Sequence, residues 1–386
     1  MFSSCVPTRV VFGSGSLESL HEYPLPHGRI LIVVSDGGSL GTLERIKAQL
    51  SLVGDEAVVF VLHAAFAERE AVMAVAACAR EHGCAGILAF GRGAVVNTVK
   101  AAALMVANPG DIWDYAPEGT GRKQMPAYSP LPIVCIPTAA GNGAELSCDF
   151  TVNNSATAER VIFSGSERAY PLLALYDPEL MIAASAEITA FNGFDVLFRS
   201  AEASLSRYAN SLSRMYAGAA LRNLGCYLAR ACQDGTDLAA REHLAFAALT
   251  AAQAADVSSS LSYRAMANAL YATHSDMPQG VPGLLIGDAF FEHLVSKHIE
   301  GENFILMAKA LGLEMAEKPE DFITACQNLR GACHLPSFAM SDYGIREEEC
   351  TTLAEKAFDT GGRLFAADLV AMTHDECIAI YKKSFV

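Results

Sequence analysis

The residue types best suited to chemistry fall in four stretches and one isolated position. Ile136 to Ser147 (IPTAAGNGAELS) follows an apolar run, Leu131 to Ile136, and turns on a proline and two glycines. Small side chains there let a phosphate or ribose approach backbone amides. Thr138 and Asn142 are the hydrogen-bonding candidates, and Glu145 is a brace for the turn. Gly91, Arg92 and Gly93 precede a helix starting near Ala94. The amides and positive dipole end of that helix suit a pyrophosphate. Asn97 and Lys100 are its polar members, and Arg92 either pairs with the phosphate or fills its space. Asp36 ends a strand-like run, where a carboxylate suits a ribose diol and repels a 2′-phosphate, favouring NAD over NADP. Helix capping is the alternative job for it. Further on, Asp195 and Arg199 stand four apart on one helix face, with Glu202 three residues later. His274, before a Pro-Gln-Gly-Val-Pro-Gly turn, is a candidate proton shuttle.

These residues need elements to position them, and the hydrophobic pattern supplies them. Arg29 to Ser35 (RILIVVS), Glu56 to Leu62 and Gly86 to Phe90 read as strands buried on both faces. Helical stretches near 41–52, 67–82 and 95–106 alternate with them, which implies a parallel α/β sheet. Leu172 to Tyr176 is a further strand. Beyond about residue 180 the chain turns rich in Ala, Leu, Glu and Met with helical periodicity, including 239–258, 263–273, 302–311 and 345–357. The expected division is an α/β dinucleotide-binding domain over 1–180 and an all-helical domain over 181–386. The loop 111–128, with Arg122 and Lys123, reads as a lid or as a plain solvated loop.

Bulk composition narrows the partners. With 52% hydrophobic and 18% charged residues among 386, the chain is an ordered globule. A formal charge of −15 argues against nucleic acid or an anionic membrane as partner. Eleven singly spaced cysteines read as reduced thiols, and the expected compartment is the cytoplasm.

In sequence order, these stretches resemble the iron-containing (group III) alcohol dehydrogenase family, a neighbour of the dehydroquinate synthase fold. Gly91 to Lys100 resembles its Gly-Gly-Gly-Ser-x-x-Asp-x-x-Lys loop, and Pro137 to Ser147 its Pro-Thr-Thr-Ala-Gly-Thr-Gly-Ser-Glu-x-Thr turn. Asp177-Pro178-Glu179-Leu180 and Gly193-Phe194-Asp195-Val196-Leu197 match two further family motifs. The resemblance implies a Rossmann-like domain, a helical domain, NAD or NADP, a small-molecule substrate and a homodimer. It also implies Fe²⁺ or Zn²⁺ held by one aspartate and three histidines. Asp195 matches the aspartate, but Arg199 stands at the first histidine. Placing the family's His-x-x-x-His-Pro…Pro-His-Gly block on Leu270–His274 and Val281–Gly283 leaves Leu270 and Gly283 at the other two ligands. His274 then matches the block's non-ligand histidine. One carboxylate does not hold a divalent ion, so no metal is expected. Arg199 is expected to replace its charge, against Asp195 or an anionic substrate, with His274 moving the proton. The alternatives on the same scaffold are a lyase or decarboxylase, or a degenerate ligand- or partner-binding paralogue.

Overall fold

The computed structural model describes residues 5–36, 38–141, 143–164 and 167–385. The chain divides into a first unit, Cys5–Ala139 with Gly143–Ala183, and a second that runs from Ala184 onward and takes in the stretch at Gly141.

The first unit carries β1 (Arg9–Phe12), β2 (Arg29–Ser35), α1 (Leu40–Leu52), β3 (Glu56–Leu62), α2 (Arg69–Glu81), β4 (Gly86–Gly91) and α3 (Gly93–Ala107). After it come β5 (Ile133–Pro137), β6 (Phe150–Asn154), β7 (Glu159–Phe163) and β8 (Leu173–Tyr176). Six strands form one sheet in the order β1-β8-β5-β4-β2-β3, every pair parallel. The apolar run of β2 explains why it lies inside. Leu31 and Val33 face Val72, Val75, Val96 and Val99 of α2 and α3. Ile30, Ile32 and Val34 face Leu43, Ile46 and Leu50 of α1. Both faces are thus covered, as the uninterrupted pattern requires.

β6 and β7 form an antiparallel hairpin that the sequence pattern did not signal, with Phe150 opposite Phe163 and Asn154 opposite Glu159. Asp177, fully buried after β8, accepts from the amides of Gly15 and Leu17 at 3.1 and 3.2 Å, tying the N-terminal loop to the sheet.

The second unit is helical: α4 (Ala186–Leu205), α5 (Ser211–Gln233), α6 (Leu238–Asp256), α7 (Ser262–Thr273), α8 (Val281–Ser296), α9 (Gly301–Ala310), α10 (Asp321–Ala332), α11 (Cys350–Thr360), α12 (Gly362–Phe365) and α13 (His374–Lys383). The helix expected over 345–357 starts later, at Cys350. Ser185 caps α4 through the amide of Ile188. α4 is buried around most of its circumference because α5, α6 and α8 pack on it. Gly193 permits this: a Cβ there would meet Leu228 of α5 at 2.4 Å. Phe198, Tyr263, Phe290 and Phe291 fill the interior with ring centroids 5.3–5.7 Å apart. Among the described residues no helix is long and apolar enough to cross a membrane.

Candidate functional site

Two groups of polar residues stand out, one in each unit. In the first unit, β2 leads through α1 to the outer strand β3, whereas β4 leads onward to β5 on the opposite side. The strand order therefore reverses between β2 and β4, and ligands of open α/β sheets bind at the carboxyl ends beside such a point. Asp36 follows β2, Gly91 ends β4 and Thr138 follows β5, so three of the expected residues share that edge. The Thr138 amide donates to Gly91 O at 3.2 Å, locking the two turns together. A Cβ at Gly91 would meet the Val95 side chain at 2.6 Å, so only glycine fits beneath the first turn of α3. Gly93 opens that helix, and Arg92 is its exposed N-cap, with no side-chain partner among the described residues. The exposed Asp36 carboxylate lies 3.0 Å from His63 Nδ1.

Two expected nucleotide contacts have other jobs. Asn97 is buried, and its Oδ1 accepts from the Thr151 amide at 3.2 Å, joining α3 to β6. Lys100 is 1% exposed, and its Nζ donates to Ala144 O at 2.9 Å and to Ser147 O and Asp149 O at 2.5 Å. It holds the turn after β5 from inside the domain. Burial pushes the Lys100 ammonium down to about 8. Glu145, in the same turn, accepts from the Tyr176 hydroxyl at 2.6 Å. Asn142 lies outside the described residues.

In the second unit, Asp195, Arg199 and Glu202 line one face of α4, as their spacing implies. Arg264, two residues into α7, is the residue that sequence reading missed. Its Nη1 lies 2.5 Å from Asp195 Oδ1 and its Nη2 lies 3.0 Å from Glu202 Oε2. One guanidinium thus bridges two carboxylates about two helix turns apart, one on each terminal nitrogen of its planar fork. Glu202 is fully buried and also accepts from the Leu261 amide at 3.0 Å. Burial raises its carboxyl, while the Arg264 and Arg199 charges and the Leu261 amide pull it down. The two carboxylates hold Arg264 well above the ordinary arginine range, against its own burial. Arg264 Nε is buried without a partner among the described residues.

His274 does not join this group. It caps the far end of α7, ten residues after Arg264, which on a helix is about 15 Å. Its Nε2 lies 3.0 Å from Glu349 Oε2. The ion-pair partner that the structure gives His274 is thus Glu349, in the segment before α11.

The comparisons with known proteins decide the family. The first half of the chain, residues 7–178, matches "Iron-containing alcohol dehydrogenase". Residues 189–385 match "Fe-containing alcohol dehydrogenase family, C-terminal". The chain belongs to the iron-containing alcohol dehydrogenase family. It is similar to the 1,3-propanediol dehydrogenase of Klebsiella pneumoniae, 27% identical over 398 residues, which cover 100% of this chain and 99% of the relative. It is 28% identical over 292 residues to the NAD-dependent methanol dehydrogenase of Bacillus methanolicus, covering 72% of each. An archaeal halo-thermophilic Red Sea brine pool alcohol dehydrogenase shares the fold, with a TM-score of 0.92 at 24% identity over 100% of this chain and 99% of that one.

Against that membership, the described residues hold no group of three or more His, Cys, Asp or Glu side chains able to bind a metal ion.

Asp368 fixes where α7 begins, and so where Arg264 stands. Its Oδ1 accepts from the Ser262 amide at 3.0 Å, and burial pushes its carboxyl up to about 6. An unfolded aspartate titrates near 3.9. The folded form therefore holds its proton more tightly, so this stability is full below about pH 4 and is lost as pH rises through about 6. Asp368→Asn is expected to flatten thermal stability between those values. Equal slopes in the variant and the parent protein would contradict the assignment.

Proposed function

We propose that this chain is an NAD-dependent oxidoreductase that moves hydride between the nicotinamide and an alcohol or aldehyde carbon without a bound metal. Family membership and the name of the NAD-dependent methanol dehydrogenase support the nicotinamide half. So does the edge at Asp36, Gly91, Arg92, Gly93 and Thr138, which offers a carboxylate for ribose and a helix start for pyrophosphate.

The Arg264 fork carries the metal-free half. Because Arg264 reaches Asp195, we read the family's second histidine block from Arg264 rather than from Leu270. Arg264-x-x-x-Asn268 then stands at His-x-x-x-His, and Pro278-Gln279-Gly280 at Pro-His-Gly. Leu270 is a fully buried packing residue, and a Cβ at Gly283 would meet the Tyr263 hydroxyl at 2.4 Å. Gly280 keeps the motif's frame: its φ is +96°, and a Cβ there would meet Phe191 O of α4 at 2.6 Å. On this reading the ligand positions hold Asp195, Arg199, Arg264 and Gln279. Two permanent cations and an amide do not fit a divalent ion, and the one carboxylate is already closed by Arg264.

Guanidinium N–H groups supply what the chemistry then needs. As hydride reaches a carbonyl carbon, negative charge grows on its oxygen, and fixed cationic donors stabilise it. Arg264 is held in place by two carboxylates before substrate arrives, so little reorganisation is required. The alkoxide takes its proton from water on this reading, since the residues of α7 itself include no histidine. The test is NADH oxidation by purified protein across short aldehydes and keto acids. Turnover is expected, and His274→Ala is expected to retain it within about threefold, a small loss beside that of a proton donor. Failure to bind or oxidise NADH would overturn the reading.

A further inference from the structure

A second site lies in the first unit, at the opposite end of α3 from the glycine turn. Leu104 stands eleven residues after Gly93, about 16 Å along the helix. There a cavity of about 530 Å³ opens beneath the loop that follows α3. Its size falls within the range of small-molecule sites. Leu104, Tyr115, Phe150 and Phe163 line it, all 8% exposed or less. The wall is the loop itself, where Met125 and Tyr128 are 86% and 65% exposed, and Pro117, Pro126 and Pro130 restrict its backbone.

Two cations border this apolar space, Lys123 and Arg168. Neither has a carboxylate partner among the described residues, although Arg122 beside them pairs with Asp114 at 3.1 Å. Arg168 Nη1 donates to Ser129 Oγ at 2.8 Å, which fixes the guanidinium against the loop. In a chain of formal charge −15, two cations without a carboxylate partner thus stand together beside an aromatic-lined cavity. Lysine and arginine together select an anionic head, and the lining selects an apolar body.

We propose that this cavity binds an amphipathic monocarboxylate of medium chain length, with the carboxylate at Lys123 and Arg168 and the chain over Phe150 and Phe163. The glycine turn and the Arg264 group take no part in it.

The molecule carries its own reporter. Trp113 is the single tryptophan of the chain, and its ring stands 6.2 Å from that of Phe163, edge to face. Titration of the full-length protein with 11-bromoundecanoate, whose bromine quenches indole emission, is expected to give saturable quenching. Decanoate is expected to reverse it, and 1-decanol to compete about tenfold less well. The double variant Lys123→Gln, Arg168→Gln is expected to weaken bromoundecanoate binding about tenfold while NADH binding stays unchanged. Linear quenching without saturation, equal competition by decanol, or unaltered binding in the double variant would each overturn the proposal.

Discussion

Replacing Arg264 by alanine is expected to lower the melting temperature of the helical unit by about 10 °C and NADH-linked turnover by about 10² to 10³-fold. The stability part follows from burial. The change would leave Asp195 and Glu202, 8% and 0% exposed, without the cation that closes on both. Removing one partner of a buried ion pair costs about 3–5 kcal/mol. Glu202 relieves part of this by taking a proton, since burial already raises its carboxyl. The loss therefore falls at the lower end, about 3–4 kcal/mol, or roughly 10 °C for a unit of this size. Arg264→Lys keeps one charge but not the fork, so it should recover stability more than turnover. Thermal unfolding of both variants beside a kcat measurement separates the effects. An alanine variant that melts like the parent protein would show that the bridge does not hold α4 and α7 together.

The second large effect is expected at Lys100. Lys100→Met preserves the stem and removes three donors from the carbonyls of Ala144, Ser147 and Asp149. A buried acceptor left without a donor costs about 1–3 kcal/mol. Ala144 is buried, whereas Ser147 and Asp149 are half-buried and water can replace the ammonium there. Burying the ammonium already opposes these bonds, as its fall to about 8 records. The net expectation is about 3 kcal/mol of lost stability in the first unit, with weaker NADH binding because the turn after β5 loses its internal support. The same pKa sets a pH signature. The unfolded lysine keeps its proton to about 10.4, so between pH 8 and 10 the unfolded state binds more protons and this group's contribution to stability rises with pH. Lys100→Met should remove that rise. Equal unfolding free energies and NADH affinities in variant and parent would refute the assignment.

The α/β unit was legible in the sequence because its inner strands β2, β4 and β5 are buried and read as unbroken apolar runs; RILIVVS is β2 to the residue, whereas Glu56–Leu62, expected to be buried on both faces, is the half-exposed edge strand β3. The hairpin of β6 and β7 was not. Its inner positions include Asn153 and Asn154, and its turn is Ser-Ala-Thr-Ala, without the glycine or proline that marks such turns. The placement of Asp36, Gly91 and Thr138 along one sheet edge was legible because they end or directly follow strands, and strand ends were readable. Lys100 and Asn97 carry the residue types of a phosphate loop, and only the path of the chain after β5 reveals that they hold backbone. Arg264 was missed because an arginine within Ala-, Met- and Asn-rich helix looks like a solvated cation. The signal that marks it is Arg264-x-x-x-Asn268 followed by Pro278-x-Gly280, masked by the more conspicuous His274.

The most direct measurement is metal content and NADH-dependent aldehyde reduction on one sample, before and after exhaustive chelation. The predicted result is substoichiometric iron and zinc throughout, with turnover unchanged by the chelator. Stoichiometric metal, or activity lost on chelation and restored by Fe²⁺ or Zn²⁺, would contradict the assignment of the metal's place to Arg199 and Arg264.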